Sequence, residues 1–197
     1  MTKRWRKLKI TMKFDIFLKG NIVNLVRVTK NVVLKTNFYT WLNDQRVTKY
    51  TKQGYFPVSK KDEIEYNEQE VKSKKRLQLG VVNKKTNTLI GLVSLYGFDD
   101  YDGSCFISTL LNINDKNINS INFFKETQTL LINHAFKKLN LRRIEAASNT
   151  ENLCKINQKL FGFKCEGILK ERDYVDGKYL DRYVLTLFKK DWLNETR

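Results

Sequence analysis

The order of apolar periods along this chain predicts a mixed α/β (α+β) fold, built on one mostly antiparallel sheet with helices on both faces. Three observations carry that expectation. Apolar runs of strand length recur through residues 77–113 and again through 164–188, separated by short polar turns. Between them lies a long segment whose apolar residues return every three or four positions, the spacing of one helix face. The single proline, Pro57, and the absence of repeats or low-complexity linkers leave the chain continuous.

Each element has its own signal. Residues 22–28 alternate loosely and are expected as a strand. Leu34, Phe38, Trp41 and Leu42 have helical spacing and lead into a loop over residues 44–57. Ser59 followed by Asp62 and Glu63 reads as a helix start, carried through Ile64 and Val71. Residues 77–83 and 89–98 form a hairpin across the polar segment 84–88, and residues 105–113 add a further strand after the turn at 99–103. Phe123, Thr127, Leu130, Leu131, His134, Ala135 and Leu139 define the longest helix. Residues 143–148 are a short strand and 152–161 a short helix. A last hairpin, 164–174 with 178–188, closes on Asp176-Gly177, a pair suited to a tight turn.

Composition narrows the function classes. A chain of 197 residues with 41% apolar and 12% aromatic residues fits one globular domain, taken as residues 13–197 behind a basic N-terminal extension, 1–12. No run of 18 apolar residues predicts a membrane span, and no signal-type apolar stretch follows the charged start. Cys105, Cys154 and Cys165 form no CxxC pair and leave one odd, so a reducing, cytoplasmic setting is expected. The net charge of +16 invites a polyanionic partner, but no nucleic-acid recognition pattern accompanies it, so solvated surface lysines are the expected source. One histidine, His134, in mid-helix makes neither a zinc site nor a catalytic triad natural, and no metal is expected.

Three stretches carry a family resemblance. They are Tyr39-Thr40-Trp41-Leu42-Asn43-Asp44 through Val47-Thr48-Lys49-Tyr50 to Gly54-Tyr55-Phe56-Pro57-Val58, then Ala135-Phe136-Lys137-Lys138-Leu139-Asn140-Leu141-Arg142-Arg143-Ile144-Glu145-Ala146, then Leu160-Phe161-Gly162-Phe163-Lys164-Cys165-Glu166-Gly167-Ile168-Leu169 followed by Asp176-Gly177-Lys178-Tyr179-Leu180-Asp181 and Leu185-Thr186-Leu187. In this order and spacing the chain, from about residue 20 to 192, resembles the GNAT acetyltransferases. The similarity is to the branch of ribosomal-protein N-terminal and amino-sugar acetyltransferases.

The resemblance implies a sheet splayed between its fourth and fifth strands, here residues 105–113 and 143–148, with the pantetheine arm of acetyl-CoA between them. It assigns Leu111, Asn112 and Ile113 of the fourth strand to the cofactor. It places the pyrophosphate loop and helix start on Asn117, Ser120, Ile121, Asn122 and Phe123. Family loops carry glycines that let backbone amides approach phosphate; Ser120 and Asn122 replace them here, and Asn117 replaces the family's Arg or Gln. Asn152 matches a family cofactor contact, while its reading from the residues alone is a helix N-cap. Lys155 stands where Ser is usual, and the tyrosine that protonates the leaving thiolate falls on Gln158 or Lys159. The strand position that is often acidic is Ser108, so no residue is assigned as acid or base. The acceptor surface implied by the resemblance offers Trp41, Arg46, Lys49, Tyr50 and Tyr101. The function this implies is acetyl transfer to a primary amine on a small molecule, by a monomer or homodimer. A nucleotide-linked amino sugar is one acceptor and a peptide N-terminus another. The eroded loop and missing tyrosine suit a different class, a GNAT-fold binding module without catalysis.

Overall fold

A computed structural model describes residues 12–51, 53–112 and 120–195. The chain opens on a hairpin, β1 (Ile16–Lys19) and β2 (Val23–Arg27), followed by helices α1 (Lys30–Thr36), α2 (Tyr39–Leu42), α3 (Gln45–Thr48) and α4 (Lys60–Ser73). Three strands come next, β3 (Arg76–Asn83), β4 (Thr88–Asp99) and β5 (Ser104–Leu111), then helix α5 (Ser120–Lys137). The second half holds β6 (Arg143–Ser148), α6 (Glu151–Phe161), β7 (Lys164–Val175), β8 (Lys178–Phe188) and α7 (Lys189–Glu195). Among the described residues the sheet order is β1-β2-β3-β4-β5-β6-β8-β7, antiparallel throughout except for β5 against β6.

The expected elements form, and each departure has an identifiable cause. Ser59 and Asp62 make a reciprocal capping box that starts α4. The single helix expected from Leu34 is divided, because Asn37 turns left-handed at φ 52° and ends α1 before α2 begins. Asp44 caps α3 within what reads as loop, its carboxylate accepting from the Arg46 amide at 3.0 Å. Thr150, not Asn152, caps α6. Strand β1 is new; it is largely exposed, and its turn into β2 is held by the Glu126 carboxylate of α5. That carboxylate accepts the amides of Asn21, of Ile22 at 2.7 Å and of Val23 at 2.9 Å.

Helices cover both faces. On one, α1, α2 and α4 bury Val26, Val32, Val33, Phe38, Leu89 and Leu92; on the other, α5, α6 and α7 close over Leu25, Leu95, Ile107, Leu131, Ile144 and Trp192. No helix among the described residues is long and apolar enough to cross a membrane.

One feature of the sheet positions the candidate site. Strands β5 and β6 pair only through Ser104↔Arg143, Cys105↔Ile144 and Phe106↔Glu145. Beyond that point β5 continues with β4 alone and β6 with β8 alone, so the two strands part.

Candidate functional site

The parting leaves backbone groups without a strand partner, and ladder parity says which. The Asn112 amide donates to Ile90 O at 2.9 Å, which turns the even-numbered residues of this end of β5 toward β4. The amides and carbonyls of Ile107, Thr109 and Leu111 therefore face the gap left by β6. Leu111 thus presents its backbone to the gap and Asn112 does not. Ser120, Ile121 and Asn122 are exposed at the start of α5, whose first turn carries no acidic residue, while Phe123 packs on the core. The positive end of that helix dipole is left un-neutralised by its own side chains. Ile113 and Asn117 lie outside the described residues. Asn152 is exposed in the first turn of α6, beside a Lys155–Glu151 ion pair of 2.8 Å, and Gln158 is exposed on the same helix.

On the opposite face of the sheet, two rows of side chains run from α4 toward the gap. Arg76, Tyr96 and Phe106 are direct cross-strand partners, with the Arg76 guanidinium 4.7 Å from the Tyr96 ring and the Tyr96 and Phe106 rings stacked at 5.6 Å. Arg76 also donates to Tyr66 Oη at 2.6 Å. One step along, Gln78, Ser94 and Ser108 form the second row. Gln78 donates to Asn67 Oδ1 at 3.1 Å, and Asn67 in turn donates to the buried Glu63 carboxylate at 2.7 Å. Phe106 and Ser108, the last members, are exposed on β5 where β6 departs.

The loop over α3 and the tip of the β7–β8 hairpin meet each other. Lys49 pairs with Asp176 at 3.0 Å, and Tyr55 Oη donates to Tyr174 O at 3.4 Å. Tyr50 lies beside them, its ring 5.5 Å from the Lys49 ammonium. Arg182 and Asp173 form a two-pronged ion pair on the hairpin, and the Asp173 carboxylate holds the guanidinium above its usual range. Arg46 is fully spread in solvent and spent on its own cap, Asp44. Trp41 packs on the α1 side of the core against Phe38. Tyr101 is wholly exposed in the β4–β5 turn, whose Gly103 carbonyl accepts from Arg142 at the opposite end of β6 from the hairpin tip. So the structure gathers Lys49 and Tyr50, and leaves Trp41, Arg46 and Tyr101 apart. The Arg76–Tyr96–Phe106 row was missed in the sequence; its signal was cross-strand register rather than any motif.

Comparison with known proteins agrees with this architecture. The family model described as an acetyltransferase (GNAT) domain matches residues 30–157. The chain belongs to the GNAT acetyltransferase family. A probable N-acetyltransferase of Bacillus subtilis, YjcK, is 30% identical over 72% of this chain and 75% of its own. An uncharacterized N-acetyltransferase of Bacillus licheniformis, p20, is 28% identical over 58% of this chain, and the match spans 64% of that protein, just under two thirds. The solved spermidine N-acetyltransferase of Vibrio cholerae, in complex with CoA and spermine, superposes with a TM-score of 0.77 at 18% identity, over 89% of this chain and all of that one.

Within a GNAT chain the remaining reactive groups can be sorted. Burial, with the Glu145 charge behind it, pushes the Cys105 thiol up to about 12, so this cysteine beside the gap is no nucleophile. His134 is held below its ordinary value by burial and by Lys138, and its ring meets Phe17 of β1 edge-on at 5.0 Å. Among the described residues no group of His, Cys, Asp and Glu is placed to hold a metal ion.

Glu63 is the buried carboxylate behind the Gln78 row. Burial raises its pKa, opposed by the bonds from Asn67 and Gln78 and by the Arg76 charge. A raised carboxyl favours the protonated fold: that stability is present below the unfolded carboxylate range and is lost as pH rises through the folded value. Glu63→Gln, neutral at every pH, should therefore gain on the wild type as pH climbs. The expected gain is about 1 kcal/mol at neutral pH, or roughly 2–4 °C in melting temperature. Melting curves between about pH 4 and pH 8 check this; two parallel lines would refute it.

Proposed function

We propose that this chain is an acetyl-CoA-dependent N-acetyltransferase acting on a primary amine. The observation that carries the reading is the parting of β5 from β6 beyond Phe106↔Glu145, in a chain of the GNAT family. When bound, acetyl-CoA supplies an activated thioester carbonyl that an uncharged amine attacks, with the thiol as leaving group. The residues present fit such a guest. Backbone of Ile107, Thr109 and Leu111 offers donors and acceptors along the gap, and Thr109 Oγ1 is buried without a partner among the described residues. An amide of that strand polarises the carbonyl from a fixed position. The exposed start of α5, with Ser120, Ile121 and Asn122, receives the pyrophosphate on backbone amides.

The acceptor enters from the other face. Phe106, backed by Tyr96 and Arg76, offers a flat platform where the strands part, and Tyr50, Tyr55 and Tyr174 at the meeting of loop and hairpin offer further rings. The carboxylates Asp44, Asp173 and Asp176 already hold Arg46, Arg182 and Lys49, whereas Arg76 bonds a tyrosine hydroxyl. Stacking surfaces with engaged carboxylates suit an amine carried on a planar, anionic molecule better than a polycation. A nucleotide-linked amino sugar meets that description.

The test supplies acetyl-CoA with amino-sugar nucleotides, polyamines and N-terminal peptides, and follows free thiol. Turnover with the sugar nucleotides is expected; turnover only with peptides or polyamines refutes this acceptor. Phe106→Ala should raise the acceptor KM about tenfold while acetyl-CoA affinity stays unchanged, since only the stacking platform is lost.

A further inference from the structure

A hollow of about 590 Å³ lies at the end of the sheet where β5 and β6 are still paired. Three cations, Arg142, Lys189 and Lys190, line it beside the apolar Leu141, Phe188 and Leu193, and no carboxylate does. Among the described residues none of the three has an ion-pair partner. Their neighbours differ: Arg143 pairs with Glu145 and Glu166 at 3.1 Å each, and Lys164 pairs with Asp191 at 2.8 Å. Arg142 donates its Nε to Asp102 O at 3.2 Å, which leaves both Nη groups of the fork without a partner among the described residues. Lys189 spends one proton on Asn140 Oδ1 at 2.7 Å, and the exposed Lys190 ammonium stands 5.8 Å from the Phe188 ring. Backbone bonds hold the group together, from the Arg142 amide to Gly103 O at 2.6 Å and from the Lys189 amide to Arg142 O at 2.9 Å. Like charges fixed in one place without a counter-charge repel, and a multivalent anion relieves that repulsion.

We propose that this hollow is a second ligand site, for a small organic phosphate. A guanidinium fork and two ammoniums offer more donors than one carboxylate can use, and they match the three oxygens and double charge of a phosphate monoester. Leu141, Phe188 and Leu193 receive the apolar body that carries the phosphate. The volume suits a ligand of metabolite size, since such sites run from about 300 to 1,000 Å³. The hollow stands apart from the acetyl-CoA gap. It adjoins the start of β5 at Ser104, about 23 Å of strand from Leu111, where β6 has departed. The proposal therefore does not rest on the acetyl-CoA reading, and it gives the net charge of +16 one local use.

The experiment titrates the isotope-labelled full chain with phenyl phosphate and follows backbone amide shifts by NMR. Saturable shifts are expected at Leu141, Arg142, Lys189 and Lys190. Inorganic phosphate, without the apolar body, should bind the same residues more weakly, and phenol should not shift them. Lys190→Gln should weaken phenyl phosphate about fivefold and Arg142→Gln about tenfold. Lys72→Gln, which removes the same charge from the exposed face of α4, should change nothing. Equal weakening by Lys72→Gln and Lys190→Gln overturns the proposal, because the anion would then be answering net charge alone. Shifts confined to the start of α5, or no saturable shift anywhere, overturn it as well. So does a single-stranded oligonucleotide that moves these amides when phenyl phosphate does not, since the hollow would then belong to an extended polyanion surface. Should Arg142→Gln fail to fold, the fully surface-borne Lys190→Gln decides by the same comparison.

Discussion

Acetyl-CoA at a hundred times its dissociation constant should raise the melting temperature by about 5–10 °C. A ligand that binds only the folded chain at that excess stabilises it by about 2.7 kcal/mol, and a chain of this size gains roughly 2–4 °C per kcal/mol. The size of the effect follows from where the ligand sits. Beyond Phe106↔Glu145 the end of β5 has no strand beside it on the β6 side among the described residues, and α5 and α6 are joined by the Phe124–Phe161 contact. A guest in the gap gives that strand end a partner and ties β5 to both helices. On the proposed reading Ser120 and Asn122 stand where the resemblance puts glycine; Ser is small and Asn tolerates left-handed backbone, which would leave the amides at the start of α5 open to phosphate. Calorimetric melting with and without acetyl-CoA measures the shift. No shift at millimolar ligand, together with no heat of binding at 25 °C, would sink the acetyltransferase reading.

What was legible in the sequence, and what was not, divides by range of interaction. The Ser59–Asp62 capping box and the Asp176-Gly177 turn are local, and both formed where their residues said, with Asp176 at φ 47° and Gly177 at φ 83°. Strand β1 was missed because it is largely exposed and its anchor, Glu126, lies about a hundred residues away. The same holds at the site. The start of α5 was assigned to the cofactor through family spacing. The Arg76–Tyr96–Phe106 row depends on register, which shifts between Val81 and Val82 where the strand partners jump from Gly91 to Leu89. That bulge at Ile90 fixes which face each later residue takes, since a one-residue slip turns every side chain over. No composition or periodicity reports such a slip. The family's own pattern helped least on the acceptor side, where Tyr101 stood out in the sequence and lies fully exposed at the far end of the sheet.

Gly91, beside the bulge, is a position where β4 approaches β5 too closely for a side chain. A Cβ placed there would stand 2.5 Å from Leu110 O and from Leu111 Cδ2, and 3.2 Å from Leu111 Cα. A carbonyl oxygen and a Cα of the neighbouring strand cannot swing aside as a side-chain tip can. Gly91→Ala must therefore push β4 away from the end of β5, breaking the register that pairs Gly91 with Leu111 and the Asn112–Ile90 bond beside it. Overpacking of this kind costs about 2–3 kcal/mol, which for this chain lowers the melting temperature by roughly 5–10 °C. The displaced segment is the one whose backbone lines the gap, so acetyl-CoA affinity should fall along with stability, by about tenfold for each 1.4 kcal/mol of binding lost. Gly167→Ala is the control, because a Cβ there meets nothing within 4 Å. It should melt and bind as the wild type does. If Gly91→Ala does the same, the close approach of β4 to β5 is not what holds that edge of the gap in place.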